Sequence, residues 1–183
     1  IGMDNSFFGD MSGYNNTTGG QNAFYGVSSG YHNSTGIGNT FLGSGAGSSN
    51  TDGSNNTCIG IAAGNKSQSG ESNVYIGQKA ARGCSDTSSY NVIIGASAYR
   101  AGNRSIVIGA QSETTASSAV VIGFDVNTTL DNTCVIGGVD TLNSLRVGIG
   151  TLEPNEMATL ELGNTDKGFL ISRMSTTERT TFG

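Results

Sequence analysis

The side chains of this 183-residue sequence best suited to chemistry are one histidine, three cysteines and fourteen Asp and Glu residues. His32 lies in a polar stretch, Tyr31-His32-Asn33-Ser34, with no acid recurring beside it. A general base needs a partner within hydrogen-bond reach, so His32 reads as a solvated turn residue. Asp10, Asp52, Glu71 and Asp86 fall in different columns of the repeat described below. Glycoside hydrolysis needs two carboxylates within about 10 Å, and this pattern does not supply them. Cys58 and Cys134 sit in apolar runs, as small hydrophobes do, and Cys84 sits in a turn. No CxxC or Cys/His spacing suggests zinc. The glycine–aspartate nonapeptide that binds calcium in other repeat folds is missing. Gly148 and Gly150 form a G-x-G without the third glycine of a dinucleotide fingerprint. The expectation is no catalytic residue, no metal and no cofactor.

Binding is the chemistry the residues do suggest. Tyr14 and Tyr31 are 17 residues apart, each followed within two residues by Asn. An aromatic face with a hydroxyl, next to amides, can hold a sugar. The candidate ligand group is Tyr14, Tyr31, His32 and Asn33. The alternative is that the two tyrosines stack and brace the turns.

The elements that must position these residues come from a repeat. Short apolar runs close on Gly9, Gly26, Gly43, Gly60, Gly77, Gly95, Gly109, Gly123 and Gly137, at gaps of 17, 17, 17, 17, 18, 14, 14 and 14 residues. The runs (NSFFG, NAFYG, NTFLG, NTCIG, NVYIG, NVIIG, SIVIG, AVVIG, TCVIG) are too short for helices and rich in Phe, Tyr, Ile and Val. Each reads as a strand ended by a glycine turn. Small residues follow each glycine, as in Gly45-Ala46-Gly47, Ala62-Ala63-Gly64, Ala80-Ala81 and Ser97-Ala98. They read as a second short strand, so one repeat is one coil. Stacked at about 4.8 Å, the coils make an all-β solenoid, or β-roll, of about nine coils. Asn5, Asn22, Asn39, Asn56, Asn73 and Asn91 form one column, and Asn16, Asn33 and Asn50 another. Stacked amides of this kind hold turns together.

Adjacent strand residues face opposite sides. One position before each glycine stand Phe8, Tyr25, Leu42, Ile59, Ile76, Ile94, Ile108, Ile122 and Ile136. Two positions before stand Phe7, Phe24, Phe41, Cys58, Tyr75, Ile93, Val107, Val121 and Val135. Both columns are apolar, and a strand apolar on both faces is buried on both. A single thin coil cannot cover both, so the chain is expected to be a homo-oligomer, most simply a threefold bundle. The block Phe8 to Ile136 is the expected shared trimer and coil core, although spacing alone leaves open which column meets the partner chains.

The VIIG, SIVIG and AVVIG repeats at 14-residue spacing resemble the left-handed β-roll heads of trimeric autotransporter adhesins. The C-terminal segments Leu145–Pro154 (LRVGIGTLEP) and Lys167–Arg179 (KGFLISRMSTTER) resemble segments of bacteriophage and related viral tail fibres. These resemblances imply left-handedness, trimer symmetry and location on a virion tail fibre, with host attachment as the role. The alternative they imply is a bacterial adhesin head on the cell surface; a polysaccharide depolymerase spike stands behind both. The implied partners are further copies of the chain and a host surface glycan or protein.

Three regions follow. Residues 1–95 form the 17-residue coils with longer turns. Residues 96–143 form the 14-residue coils. Residues 144–183 form a β connector with a strand near 157–162, another at 168–174 and the start of a helix opened by the capping pattern Ser175-Thr-Thr-Glu178. The chain is expected to continue past Gly183. A net charge of -5 without a basic run argues against nucleic acid and anionic membranes. No run approaches the 18 apolar residues of a spanning helix.

Overall fold

The computed structural model describes residues 2–84, 87–99, 102–137, 147–149 and 160–162. They fall into two units, Ile1–Thr141 and Leu142–Gly183. Within the first unit, every apolar run is a three-residue strand. These are β1 (Ser6–Phe8), β2 (Ala23–Tyr25), β3 (Thr40–Leu42), β4 (Thr57–Ile59), β5 (Val74–Ile76), β6 (Val92–Ile94), β7 (Ile106–Ile108), β9 (Val120–Ile122) and β11 (Cys134–Ile136). They form one parallel nine-stranded sheet in chain order. Each residue pairs with its counterpart one repeat later: Phe24 with Phe41, Tyr75 with Ile93, Val107 with Val121. The change from 17 to 14 residues therefore leaves strand register intact and removes residues only from the turns. This is the β-solenoid that the spacing predicts, and the described residues contain no helix.

The closing glycines end the strands for a steric reason. Gly43 has φ +134, where an L side chain is strained. A Cβ there would lie 2.6 Å from the carbonyl oxygen of Gly60 in the next coil. Gly26, Gly60, Gly77 and Gly95 meet the same obstruction one coil on. Repeating glycine at this position lets consecutive backbones approach to stacking distance.

The middle residue of each strand points into the coil. Phe24, Phe41, Cys58, Tyr75, Ile93, Val107 and Val121 are buried and form the core with Ala46, Ala63, Ala80 and Ala98. Phe7, Phe24 and Phe41 stack inside, with ring centroids 4.9 and 4.8 Å apart and planes within 7°. That separation matches the coil rise, so the phenyl column rises in step with the backbone. A glycine in the opposite turn makes room for each ring: a Cβ on Gly13, Gly30 or Gly47 would lie within 2.5 Å of Phe7, Phe24 or Phe41.

The small-residue segments differ from expectation in the 17-residue coils. They are turns, not strands. Gly45, Gly47, Ala62, Gly64, Lys79 and Ala81 all have φ between 56 and 66, and Ser97 in the first 14-residue coil does the same. A left-handed residue at every second position prevents an extended run. The turns still stack through backbone bonds such as Gly47 N–H to Ala63 O, 2.9 Å, and Gly64 N–H to Ala80 O, 2.9 Å. Among the described residues of this unit, a second strand appears only in the coils after Gly109, as the parallel pair β8 (Glu113–Thr114) and β10 (Asn127–Thr128).

In the second unit, β12 (Val147–Ile149) pairs in parallel with β13 (Leu160–Leu162), within the strand expected near 157–162. The strand expected at 168–174 and the helix start at Ser175 lie outside the described residues.

Candidate functional site

Two columns of asparagine fasten the turns that carry the candidate ligand group. The Asn22, Asn39, Asn56, Asn73 and Asn91 backbone N–H groups each donate to the Oδ1 of the asparagine one coil before, at 2.9 to 3.0 Å. In return, Asn5, Asn22, Asn39 and Asn56 donate Nδ2–H to the carbonyls of Gly19, Gly36, Gly53 and Gly70 at 2.7 to 2.8 Å. The column continues into the leaner coils with serine: Ser105 N–H donates to Asn91 Oδ1, and Ala119 N–H donates to Ser105 Oγ.

In the second column, Asn33 Nδ2–H donates to Asn16 Oδ1 (2.8 Å) and Gly36 O (3.1 Å). Asn50 Nδ2–H donates to Asn33 Oδ1 at 2.7 Å. Asn33 is fully buried. It is therefore corrected out of the candidate ligand group, because its amide is committed to neighbouring turns and has no open face.

The other three members do come together. Tyr14 and Tyr31 stack at 5.4 Å with planes 8° apart. His32 meets the Tyr31 ring edge-on at 4.7 Å, and its Nδ1 lies 3.2 Å from Asn15 Nδ2. Tyr14 keeps 67% of its surface exposed, and His32 is exposed. The result is a short aromatic patch with hydroxyl, imidazole and amide edges. No described carboxylate contacts His32 in a hydrogen bond, so the group offers recognition without an acid–base pair. Among the described residues, no group of three or more His, Cys, Asp or Glu could hold a metal ion.

The strands settle which apolar column faces outward. Phe8, Tyr25, Leu42, Ile108 and Ile136 are exposed, and Ile59, Ile76, Ile94 and Ile122 are half-buried. The coil's own core is thus the other column, and the block expected to be a shared coil and trimer core lies outside its own coil. The reason is pleating: the middle strand residue takes the interior, so both flanking positions point out. The outward first positions, Val74, Val92, Ile106 and Val120, widen the strip. Leu42 alone leaves 49% of its surface uncovered.

Sequence reasoning missed a polar cluster inside the coil. The Tyr75 hydroxyl is buried near Ser67 and Cys84, yet neither Tyr75 nor Ser67 Oγ completes a well-formed hydrogen bond there. Burial, with the Cys58 and Cys84 thiols nearby, pushes the Tyr75 hydroxyl well above its ordinary pKa. Burial likewise pushes the Cys58 thiol up. These groups are held neutral, which suits packing and not nucleophilic chemistry. Nothing in the strand pattern singles Tyr75 out, because it occupies a slot filled by Phe and Ile elsewhere.

Residues 148–183 match the model of a phage tail-like trimerisation region. That match and the parallel β-solenoid fit a trimeric phage tail fibre segment. A search of curated proteins returns no match.

Proposed function

We propose that the chain is a structural, non-enzymatic segment of a virion tail fibre, in which three solenoids pack their outer apolar columns together and the stacked turns that carry Tyr14, Tyr31 and His32 form a ridge facing a host surface. The observation that carries this is the strip Phe8 to Ile136 with Val74, Val92, Ile106 and Val120, left open along the sheet of a chain whose C-terminal part matches a trimerising region. Second and third copies of the chain are the occupants that the strip fits. Each half-open Leu or Ile covered by a partner adds roughly 1 kcal/mol, half of a full burial. Threefold repetition multiplies that gain, so assembly and coil stability are coupled. The ridge, with Tyr14, Tyr31 and His32, is the attachment face, because its turns stay on the outside whichever strand face is covered.

The test compares two adjacent residues. Ile108→Asp puts a carboxylate in the outer column, and Val107→Asp puts one inside the coil. The first should abolish the trimer in light scattering, since three like charges meet in apolar surroundings at several kcal/mol each. The second should abolish the folded coil itself in circular dichroism. A trimer of Ile108→Asp with unchanged melting would show that the strip is not the interface. A wild-type chain that runs as a folded monomer would sink the fibre reading outright.

A further inference from the structure

The ridge carries a second feature that the fibre reading does not use. Nine Lys and Arg residues serve the whole chain against fourteen acids. Three of the nine, Lys66, Lys79 and Arg82, line one groove of about 300 Å³, together with Ala62, Asn65 and Tyr99. No described carboxylate lines it. Like charges gather here in a chain whose net charge is negative, and they repel one another unless an anion joins them.

The groove is built from three successive coils. Ala62, Asn65 and Lys66 follow Gly60; Lys79 and Arg82 follow Gly77; Tyr99 follows Gly95. Stacked backbones fix the spacing. Lys79 N–H donates to Ile61 O at 2.8 Å, Ala81 N–H to Ala98 O at 2.8 Å and Gly83 N–H to Tyr99 O at 2.9 Å. The Tyr99 ring lies against Gly83, where a Cβ would come within 2.5 Å of it. The Arg82 guanidinium sits over that ring, 5.3 Å from its centroid. An arginine held against an aromatic face is pre-ordered for a planar carboxylate. Asn65 lines the groove, and its Oδ1 is buried without a hydrogen-bond partner. Cations, an aromatic ring and an amide acceptor around a volume at the small end of ligand sites match a sugar ring bearing a negative group.

Position in the repeat ties this groove to the tyrosine patch. Five residues after the closing glycines stand Tyr14, Tyr31, Ser48, Asn65 and Arg82. Tyr31 and Arg82 are three coils apart, about 14 Å along the stack. We infer that the groove formed by Lys66, Lys79, Arg82 and Tyr99 binds the carboxylate-bearing residues of an acidic polysaccharide laid along the ridge. This deepens the attachment reading and rests on it for its biological meaning. A nucleic acid fits less well, because its affinity grows with the number of phosphates neutralised and the groove offers three cations.

The probe is a galacturonate oligomer, with its fully methyl-esterified form as the uncharged twin and a single-stranded DNA oligomer as a second polyanion. Calorimetric titration into the intact chain should show binding of the acid, little of the ester, and weakening with added salt. Lys66→Gln, Lys79→Gln and Arg82→Gln should each weaken acid binding about tenfold or more, the loss expected for one charge-assisted hydrogen bond. Light scattering on each variant confirms that the oligomer is intact, so lost binding is not lost folding. Equal binding of acid and ester, DNA bound as tightly as galacturonate, no binding of the acid, or variants that bind normally would each overturn the assignment. Failure here with the trimer intact removes this site and leaves the fibre reading standing; a chain that does not trimerise removes the fibre reading instead.

Discussion

Replacing Asn39 by Leu should be among the most damaging single changes available outside the apolar core. The substitution keeps the volume and removes both hydrogen bonds of the side chain at once. In the native coil, Asn39 Oδ1 accepts from Asn56 N–H at 2.9 Å, and Asn39 Nδ2–H donates to Gly53 O at 2.8 Å. Its own N–H reaches Asn22 Oδ1 at 2.9 Å and survives the change. The Asn56 N–H is then orphaned in a buried setting, while the Gly53 carbonyl loses one of two donors and keeps Asn50 Nδ2–H at 2.9 Å. The orphaned N–H costs about 1–3 kcal/mol and the lost bond to Gly53 about 0.5–1.5, so the loss should be about 1.5–4.5 kcal/mol per chain. Guanidinium unfolding followed by circular dichroism measures it, with protomer concentration held fixed because assembly contributes to stability. Asn15→Leu is the control: the Asn15 side chain bonds His32 on the surface, and its loss should stay within about 0.5 kcal/mol. If Asn39→Leu and Asn15→Leu lie within error of each other, the amide column is not what fastens the turns.

Two further outcomes follow from the backbone and the buried thiol. Gly43→Ala should destabilise the chain by more than about 3 kcal/mol, since it combines a strained φ with overlap on the next coil's carbonyl; Gly45→Ala, with φ +66 and nothing within 4 Å, should cost about 1–2 kcal/mol. Equal melting temperatures for the two would refute the close-approach reading of the closing glycines. Stability should also fall at alkaline pH. Burial raises the Cys58 thiol and Tyr75 hydroxyl in the folded state, so the unfolded chain releases protons that the folded chain keeps. Their contribution is intact below the ordinary thiol value of about 8.5 and declines as pH rises, with a second decline above the phenol value of about 10. Cys58→Ala should flatten the first limb between roughly pH 8.5 and 10, by up to about 1.4 kcal/mol per pH unit; an unchanged slope in urea titrations across that range would contradict it.

The period carried most of the fold. Nine glycines in register announce parallel coils because a coil cannot stack without repeating its close approach at the same place. The asparagine columns were equally legible, since only a buried ladder needs the same amide at every turn. The facing of the strands was not. Val, Ile and Phe fill both candidate columns, so hydrophobicity carries no asymmetry. A signal was nevertheless present: Gly13, Gly30 and Gly47 stand opposite Phe7, Phe24 and Phe41, and give way where the interior narrows to Ile93 and Val107. Pairing large with absent side chains across the coil identifies the interior column. The small-residue segments of the 17-residue coils do not form a second strand because Ala62, Lys79 and Ala81 adopt left-handed φ without being glycine, and residue type alone does not reveal that. Asn33 was misplaced among surface groups for a related reason: the same residue type serves a buried ladder and an exposed turn. The basic groove escaped notice because Lys66, Lys79 and Tyr99 occupy different positions in their repeats and meet only through stacking.

Backbone and amide bonds between coils all run nearly along one direction, the direction of stacking. Tension applied that way loads every bond of a junction together, so neighbouring coils part as a unit and not thread by thread. Toughness of the filament is then set by its least-fastened junction. Within the asparagine column the fastening ends where asparagine hands over to Ser105 and then to Ala119, whose side chain has no acceptor, and Ser112 and Thr114 take up the bonding between those coils. A fibre assembled from such coils would hold firm under steady pull up to the limit of its weakest joint, and its three-stranded packing is what must carry the load beyond it.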